Sequence, residues 1–382
     1  MIKPTIKLYE NDSNIKEFFA TVLSCEEKDG IYYVVLDKTA FFPEGGGQDA
    51  DKGKICNVDV LDVQIKDDVI YHKVNKPFNE NETVSCEIDW ETRFSRMQNH
   101  TGEHIVSGVI HSLFGYNNVG FHMNDTLVTL DVDGSLSDKD IKRVELKSNK
   151  AIYDNKNIKA IYPTASELDN YDYRSKLDIT EGVRLIEIED TDLCACCAPH
   201  VAKTGEIGII KIISHIPYKK GTRIEMLCGM LAFNDYSNLH STNKSVMNML
   251  SAKRFEIPES VERIQSELTS ARVENKKLLS ELATLKMEKH INENTVCVFI
   301  DGVSYDELRN CSNSLIEEFE YCYLFSNTDA DNYIYVVSSK ENSVRDLVQN
   351  LNKTFNGKGG GRDTYAQGKI TASKDEILKF FV

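Results

Sequence analysis

His100 and His104 stand four residues apart in Arg93-Phe-Ser-Arg-Met-Gln-Asn-His-Thr-Gly-Glu-His-Ile-Val-Ser-Gly-Val-Ile-His-Ser112. Four residues is about one helical turn, so a helix would put both imidazoles on one face, within reach of one metal ion. Met97, Ile105, Val109 and Ile110 make an apolar stripe, and Gly102 is the only weak helix former near the pair. The pattern predicts a helix over 93–112. Taken alone, the pair also fits partly buried histidines with no ligand role. A second pair narrows the choice. In Cys194-Ala-Cys-Cys-Ala-Pro-His200, Cys196 and His200 are again four apart, and Pro199 argues for a loop. Thiolate and imidazole both suit Zn²⁺. Together His100, His104, Cys196 and His200 would give a tetrahedral N/S shell for one zinc per chain. Pairs so distant in sequence are not a small zinc finger; the ion would lie between elements of a folded domain. The bland alternative is three cysteines acting as small buried hydrophobes.

With 382 residues the chain has room for two or three domains with cores of their own. No run of 18 apolar residues occurs, so no transmembrane helix is expected. The start, Met-Ile-Lys-Pro-Thr-Ile-Lys-Leu, has no long apolar core and does not read as a signal peptide. Ten cysteines without such a signal suggest reduced thiols and a cytoplasmic address. The net charge of −15 disfavours tight, sequence-blind binding to long nucleic acid, yet local basic patches leave room for one structured RNA.

The fold class expected is α+β and multidomain. Residues 1–88 read as a small β-barrel or sandwich, with β-rich runs Ile31–Leu36 and Val58–Ile65 between charged or Asn-rich turns. This segment contains Phe41-Phe-Pro-Glu-Gly-Gly-Gly-Gln-Asp-Ala-Asp-Lys-Gly53, whose successive glycines allow close approach of backbone to another group, or simply a flexible loop. Residues 89–240 mix helix and strand. Strands are expected at 127–132, 158–162, 183–188, 208–214 and 222–227, with an amphipathic helix at 138–152. That makes an α+β domain with an antiparallel sheet. Residues 241–292 are a helical, coiled-coil-like linker. Within it Val261, Ile264, Leu268, Ala271, Asn275, Leu278, Leu282 and Leu285 step by three and four, with Asn275 at an a position and Pro258 marking the start. A helix packed on its own chain gives the same pattern. Residues 293–382 form a last α/β domain, with strands at 295–300 and 333–338 and helices at 304–320 and 344–355. It ends in Asn356-Gly-Lys-Gly-Gly-Gly-Arg-Asp-Thr364. That is no P-loop, but its N–H groups with Lys358 and Arg362 could cradle a phosphate; the alternative is a plain surface loop.

Five stretches in this order resemble the alanyl-tRNA editing family, free-standing relatives of the editing domain of alanyl-tRNA synthetase. They are Phe42-Pro-Glu-Gly-Gly-Gly-Gln48, then Asp89-Trp-Glu-Thr-Arg93 running into His100-x-x-x-His104, then Cys196-x-x-x-His-Val201. Lys220-Gly-Thr-Arg223 and Gly357-Lys-Gly-Gly-Gly-Arg362 follow. The last is similar to the DHH-associated C-terminal domain of the synthetase, so the likeness spans nearly the whole chain and suits the long form of the family. What it implies is hydrolysis of the ester joining serine, chiefly, or glycine to alanine tRNA. It further implies zinc on His100, His104, Cys196 and His200, and RNA contact at Lys358, Gly359, Gly360, Gly361 and Arg362. Gly46, Gly47, Gln48, Thr101 and Glu103 are candidates to touch the amino acid or terminal adenosine, with Glu103 and His104 as catalytic candidates. Glu103 departs from the family, which commonly carries a small or hydroxyl residue there. It could be a general base, a partner to a ligand or an outward-facing residue. The partner expected is tRNA(Ala) mischarged with serine or glycine, with no membrane, and a homodimer through the helical linker or last domain.

Three rivals remain. His100-Thr-Gly-Glu-His104 is also H-x-x-E-H, the inverted zincin motif of some metallopeptidases, with Glu103 as base and a downstream carboxylate as third ligand. A DHH-type phosphoesterase would need an Asp-His-His run, which the sequence lacks. The third is a non-catalytic tRNA-binding protein with structural zinc.

Overall fold

The computed structural model describes residues 3–175, 182–285, 289–329 and 331–381. It divides into two units, Met1–Asn243 and Lys244–Val382. The two sequence segments 1–88 and 89–240 both fall in the first.

The first unit begins with a closed barrel of six strands. They are β1 (Glu17–Lys28), β2 (Ile31–Leu36), β3 (Gly53–Ile55), β4 (Val58–Lys66), β5 (Val69–Val74) and β6 (Thr83–Ile88), in the order β1-β2-β5-β4-β3-β6. Three hairpins turn on pairs with positive φ: Asp29-Gly30, Cys56-Asn57 and Asp67-Asp68. Such turns match the right-handed twist of paired strands. Strand β6 alternates strictly between exposed and buried positions, as a strand with one face inward must. The looser alternation of Val58–Ile65 has a local cause: the β4–β5 register shifts between Val60 and Asp62. A bulge there turns Val60 and Val63 both into the core, where they meet Val34, Leu36, Ile70 and Val74.

The next element is the helix α1 (Trp90–Phe114), longer than the expected 93–112. The Asp89 carboxylate caps it by accepting from Thr92 N at 3.2 Å, and Gly115 ends it at φ 72°. Every residue from Arg96 to Ile110 is buried. A helix enclosed on all sides must satisfy its polar side chains internally. Gln98 Nε2 donates to Glu206 O at 2.8 Å, and Asn99 Oδ1 accepts from Cys228 N at 2.9 Å.

Two antiparallel sheets surround α1, where the sequence suggests one. The first has the order β12-β13-β8-β7, built from β7 (Asn118–Met123), β8 (Val128–Val132), β12 (Ile210–Tyr218) and β13 (Gly221–Cys228). The second is β9-β10-β11, from β9 (Ile158–Ile161), β10 (Leu185–Ile188) and β11 (Asp192–Ala195). A single sheet would leave much of α1 uncovered; two sheets and the helix α2 (Asp138–Tyr153) enclose it, and one apolar cluster runs through all of them. Arg223, in the Lys220-Gly-Thr-Arg223 stretch, forks onto Asp131 of β8 at 2.7 and 2.8 Å, so that motif fastens β13 to its neighbour.

Helix α3 (Gly229–Leu250) runs across the boundary between the units. In the second unit, α4 (Ile257–Leu285) carries the expected seam. Val261, Ile264, Leu268 and Leu278 stay well exposed, whereas Leu282 packs with Leu279 and Ala283 on the unit's own core. Asn275 donates to Glu307 of its own chain at 3.4 Å. The end of the seam therefore serves intramolecular packing; residues 286–288, within the expected 241–292 linker, lie outside the described residues.

The core of this unit is a mixed sheet, β14-β15-β16-β17-β19-β18. Its strands are β14 (Lys289–Asn292), β15 (Thr295–Phe299), β16 (Tyr321–Asp329), β17 (Asn332–Ser339), β18 (Lys358–Arg362) and β19 (Tyr365–Thr371). Helices α5 (Tyr305–Leu315), α6 (Arg345–Thr354) and α7 (Lys374–Phe380) complete it. The helix expected over 304–320 stops at Leu315, because Ile316 and Phe319 turn in to join the core. The glycine-rich stretch is a strand, not a loop. Gly359 and Gly361 sit opposite Gly368 and Ala366 in an antiparallel ladder, at the exposed edge of the sheet.

Candidate metal centre

The structure brings His100, His104, Cys196 and His200 together. One donor atom from each lies within 4.8 Å of every other. Cys196 Sγ is 3.5 Å from His100 Nε2 and 3.4 Å from His200 Nε2. Ligand atoms at the corners of a tetrahedral zinc shell stand roughly 3.3–3.6 Å apart, given Zn–N near 2.05 Å and Zn–S near 2.3 Å. The cluster is preset to that size.

The other nitrogen of each imidazole has an oxygen beside it. His100 Nδ1 is 2.8 Å from Gln48 Oε1, and His200 Nδ1 is 3.1 Å from Thr101 Oγ1. Thr101 spends its own proton on Met97 O at 2.7 Å, so its oxygen accepts from His200. His104 Nδ1 is 3.3 Å from Asp192 Oδ2, a close electrostatic partner without good hydrogen-bond alignment. For His100 and His200 these contacts favour a proton on Nδ1, which leaves the Nε2 lone pair for a metal, the arrangement typical of ligating histidines.

The electrostatics agree. Burial would raise the Cys196 thiol, but the imidazoles of His100 and His200 beside it hold it well below the usual thiol range. Its neighbours Cys194 and Cys197 are pushed up by burial. Burial drives His200 down to about 3, which keeps that ring neutral. Burial would also lower His104, but Cys194, Asp192 and Cys196 beside it outweigh that and raise the ring well above its usual value. Burial opposes the Asp192 anion, yet His104 and Arg174 lower its pKa. Three imidazoles and one thiolate form a donor set that fits zinc.

The Gly45–Gln48 turn reaches the centre across β7. Met123 N donates to Gly47 O at 3.0 Å. Gly47 has φ +85°, and a Cβ there would meet the Phe121 ring at 2.7 Å, so only glycine fits this crossing. Behind the turn, Arg93 and Arg96 of α1 grip residues 49–51. Arg93 forks onto Asp51, and Arg96 donates to the carbonyls of Asp49 and Ala50. Gln48 and Thr101, expected to touch a substrate, each place an oxygen beside a histidine of the cluster, and neither lines the adjoining cavity. Gly46 does line it.

That cavity holds about 800 Å³. His100, Glu103, His104 and Ser107 form one wall at helical spacing, with Cys196, Asn118 and Phe121 nearby. Glu103 is therefore not an outward-facing residue; it is 3% exposed. The metallopeptidase reading needs a carboxylate as third ligand. Asp192 instead faces the Nδ1 side of His104, where it forms a second close group with that ring and Cys194, while Cys196 and His200 stand with the two α1 histidines.

Sequence reasoning missed Asp192, Arg174, Asn118 and Arg184. Arg174 forks onto Asp192 at 2.7 and 2.8 Å and donates to Ser107 Oγ at 2.8 Å. Arg184 donates to the carbonyls of Cys196 and Ala198 at 3.0 and 2.8 Å, shaping the cysteine loop. Gly108 admits Asp192, whose Cβ would lie 2.8 Å from a Cβ at that position. Only this second glycine of α1, facing nothing in the sequence, hinted at a close neighbour. Asp192→Asn is expected to weaken zinc affinity about 10- to 100-fold, as loss of a ligand's outer partner does. Competition against a chromogenic chelator measures it.

Three stretches match family models: tRNA synthetases class II (A) over residues 6–92, the threonyl and alanyl tRNA synthetase second additional domain over 183–225, and the DHHA1 domain over 292–382. An alanine–tRNA ligase of Pyrococcus furiosus is 33% identical over 388 residues, covering 96% of this chain and 42% of the ligase. One of Methanococcus maripaludis is 29% identical over 389 residues, covering 95% and 42%. The chain thus spans less than half the length of these ligases. The alanyl-tRNA editing protein AlaX-L of Pyrococcus horikoshii is 29% identical over 399 residues, covering 97% of this chain and 96% of that protein. Matched along nearly its entire length by that protein, the chain is similar to the alanyl-tRNA editing proteins.

Proposed function

We propose that this protein edits alanine tRNA in trans, hydrolysing the ester that joins serine, and secondarily glycine, to its 3′ end. The observation that carries the reading is the convergence of three imidazoles and a thiolate, with His100, His104 and Cys196 on the wall of a cavity of about 800 Å³. Zinc bound there would polarise an ester carbonyl and lower the pKa of water. His100, His104, Cys196 and His200 would hold the ion. Gln48, Thr101 and Asp192 keep the three rings turned toward it. Phe121 and the α1 wall shape the space for a small amino acid. Lys358 and Arg362, exposed with Gly359, Gly360 and Gly361 on the edge strand β18, supply cations and free backbone N–H groups for the tRNA backbone. No helix among the described residues is long and apolar enough to cross a membrane.

Serine differs from alanine by one hydroxyl. A pocket whose polar groups need that hydroxyl leaves them unpaired with alanine, and such sites reject the lesser analogue by about 10⁴. Incubation with Ser-tRNA(Ala) and Ala-tRNA(Ala) should show the seryl ester cleaved faster by a ratio approaching that figure. Equal cleavage of the two would defeat the substrate assignment. Absence of cleavage would return the chain to the class of non-catalytic tRNA-binding proteins.

A further inference from the structure

We propose that Glu103 and Asn118 form a subsite for the free α-ammonium group of the aminoacyl ester. The cavity would then accept esters of unacylated amino acids and refuse N-acylated ones. The inference rests on the hydrolase reading above and adds which atom of the substrate is read.

Glu103 is almost fully buried, yet it lines the cavity. A carboxylate so placed needs compensation. Its Oε1 accepts from Asn118 Nδ2 at 2.6 Å. Asn118 Oδ1 in turn accepts from Gly120 N at 3.0 Å, which fixes the amide with its nitrogen toward Glu103. The carboxylate has about four acceptor positions, and no other side chain among the described residues hydrogen-bonds to it. Arg174 lies within electrostatic reach, but its guanidinium is forked onto Asp192 and Ser107. Among the described residues, the Glu103 carboxylate therefore keeps acceptor positions open toward the cavity beside the candidate metal centre.

The group that suits it is a compact cation with several N–H donors. An aminoacyl ester carries one, the α-ammonium, two bonds from the ester carbonyl carbon. Glu103 follows His100 by three residues and precedes His104 by one, so it flanks both ligands on the cavity wall of α1. An ester whose carbonyl rests at the ligand cluster brings its ammonium to that flank. An N-acylated or peptidyl ester has lost the charge and two of the donors, and adds bulk. The subsite would thus spare peptidyl-tRNA while reading seryl and glycyl esters alike, leaving the hydroxyl to other groups.

Two readouts test this on the zinc-loaded protein. The first is calorimetric binding of 3′-seryl-amido-3′-deoxyadenosine, which cannot be hydrolysed at the ester position, against its N-acetyl form. Wild type should prefer the free amine by about 10- to 100-fold, the range for a charge-assisted hydrogen bond. Glu103→Gln keeps the acceptor for Asn118 but loses the charge, and should reduce the preference to within about threefold with zinc content unchanged. Asn118→Ala should reduce it in part. The second is hydrolysis of Ser-tRNA(Ala) beside N-acetyl-Ser-tRNA(Ala). Equal cleavage of both by wild type overturns the subsite and leaves the hydrolase reading intact. A Glu103→Gln variant that slows both esters alike while retaining the preference overturns it too, and assigns Glu103 to general-base work. Failure to cleave either ester instead counts against the hydrolase reading, which the binding preference does not measure.

Discussion

His104→Ala is expected to abolish stoichiometric zinc binding and to lower seryl-ester hydrolysis on the order of 10³-fold, since metal polarisation contributes several kcal/mol to such reactions. The substitution removes one of four donors and leaves a buried gap between the Cys196 thiolate and Asp192. That pair of anions loses the ring both now lean on. Arg174 still compensates Asp192, so the fold should survive while the centre does not. Metal analysis after dialysis, alongside initial rates, measures both effects. His240→Ala, on the exposed part of α3 away from the cluster, should retain full zinc. If His104→Ala kept one zinc and full activity, the centre would not be where the ester is cleaved.

Asp51→Ala should destabilise the first unit by about 3–5 kcal/mol, the cost of leaving one partner of a buried ion pair uncompensated. Both side chains are essentially inaccessible. Asp51 also accepts from Phe42 N at 2.6 Å, and Arg93 donates to Ser13 O at 3.2 Å, so the pair locks the barrel, the glycine turn and α1 together. Replacing both residues, as Asp51→Ala with Arg93→Met, should recover part of the loss because no charge is then stranded. Trp90, the only tryptophan in the chain, sits one turn from Arg93 and reports urea unfolding of this unit by its fluorescence. Since the same clamp sets Gln48 beside His100, Asp51→Ala should also weaken zinc binding. Retention of both stability and metal affinity would show that the clamp is dispensable.

The four candidate donors are legible in the sequence because metal chemistry restricts residue type, and α-helix geometry restricts the spacing of the first two. His100 and His104 carry both marks, Cys196 and His200 only the first. Asp192, Arg174 and Asn118 carry neither. Each is an ordinary polar residue whose role arises only when β11, the segment before it and β7 fold against α1. The enclosure of α1 was also hidden, since its sequence shows an apolar stripe but not the distant segments whose groups pair with Gln98, Asn99 and Glu103. In Lys358–Arg362 composition points the wrong way. Three glycines read as a loop, whereas Gly368 and Ala366 across the ladder make a close-packed edge strand possible. On α4 the heptad pattern is real, but it does not say what covers it. Leu282 turns to its own domain's core, while Ile264 and Leu268 do not.

The most direct test strips the protein with a chelator and returns zinc stepwise, following hydrolysis of Ser-tRNA(Ala) at each addition. Activity should be absent in the stripped protein, rise linearly and level off at one zinc per chain. Undiminished hydrolysis in the metal-free protein would contradict the account.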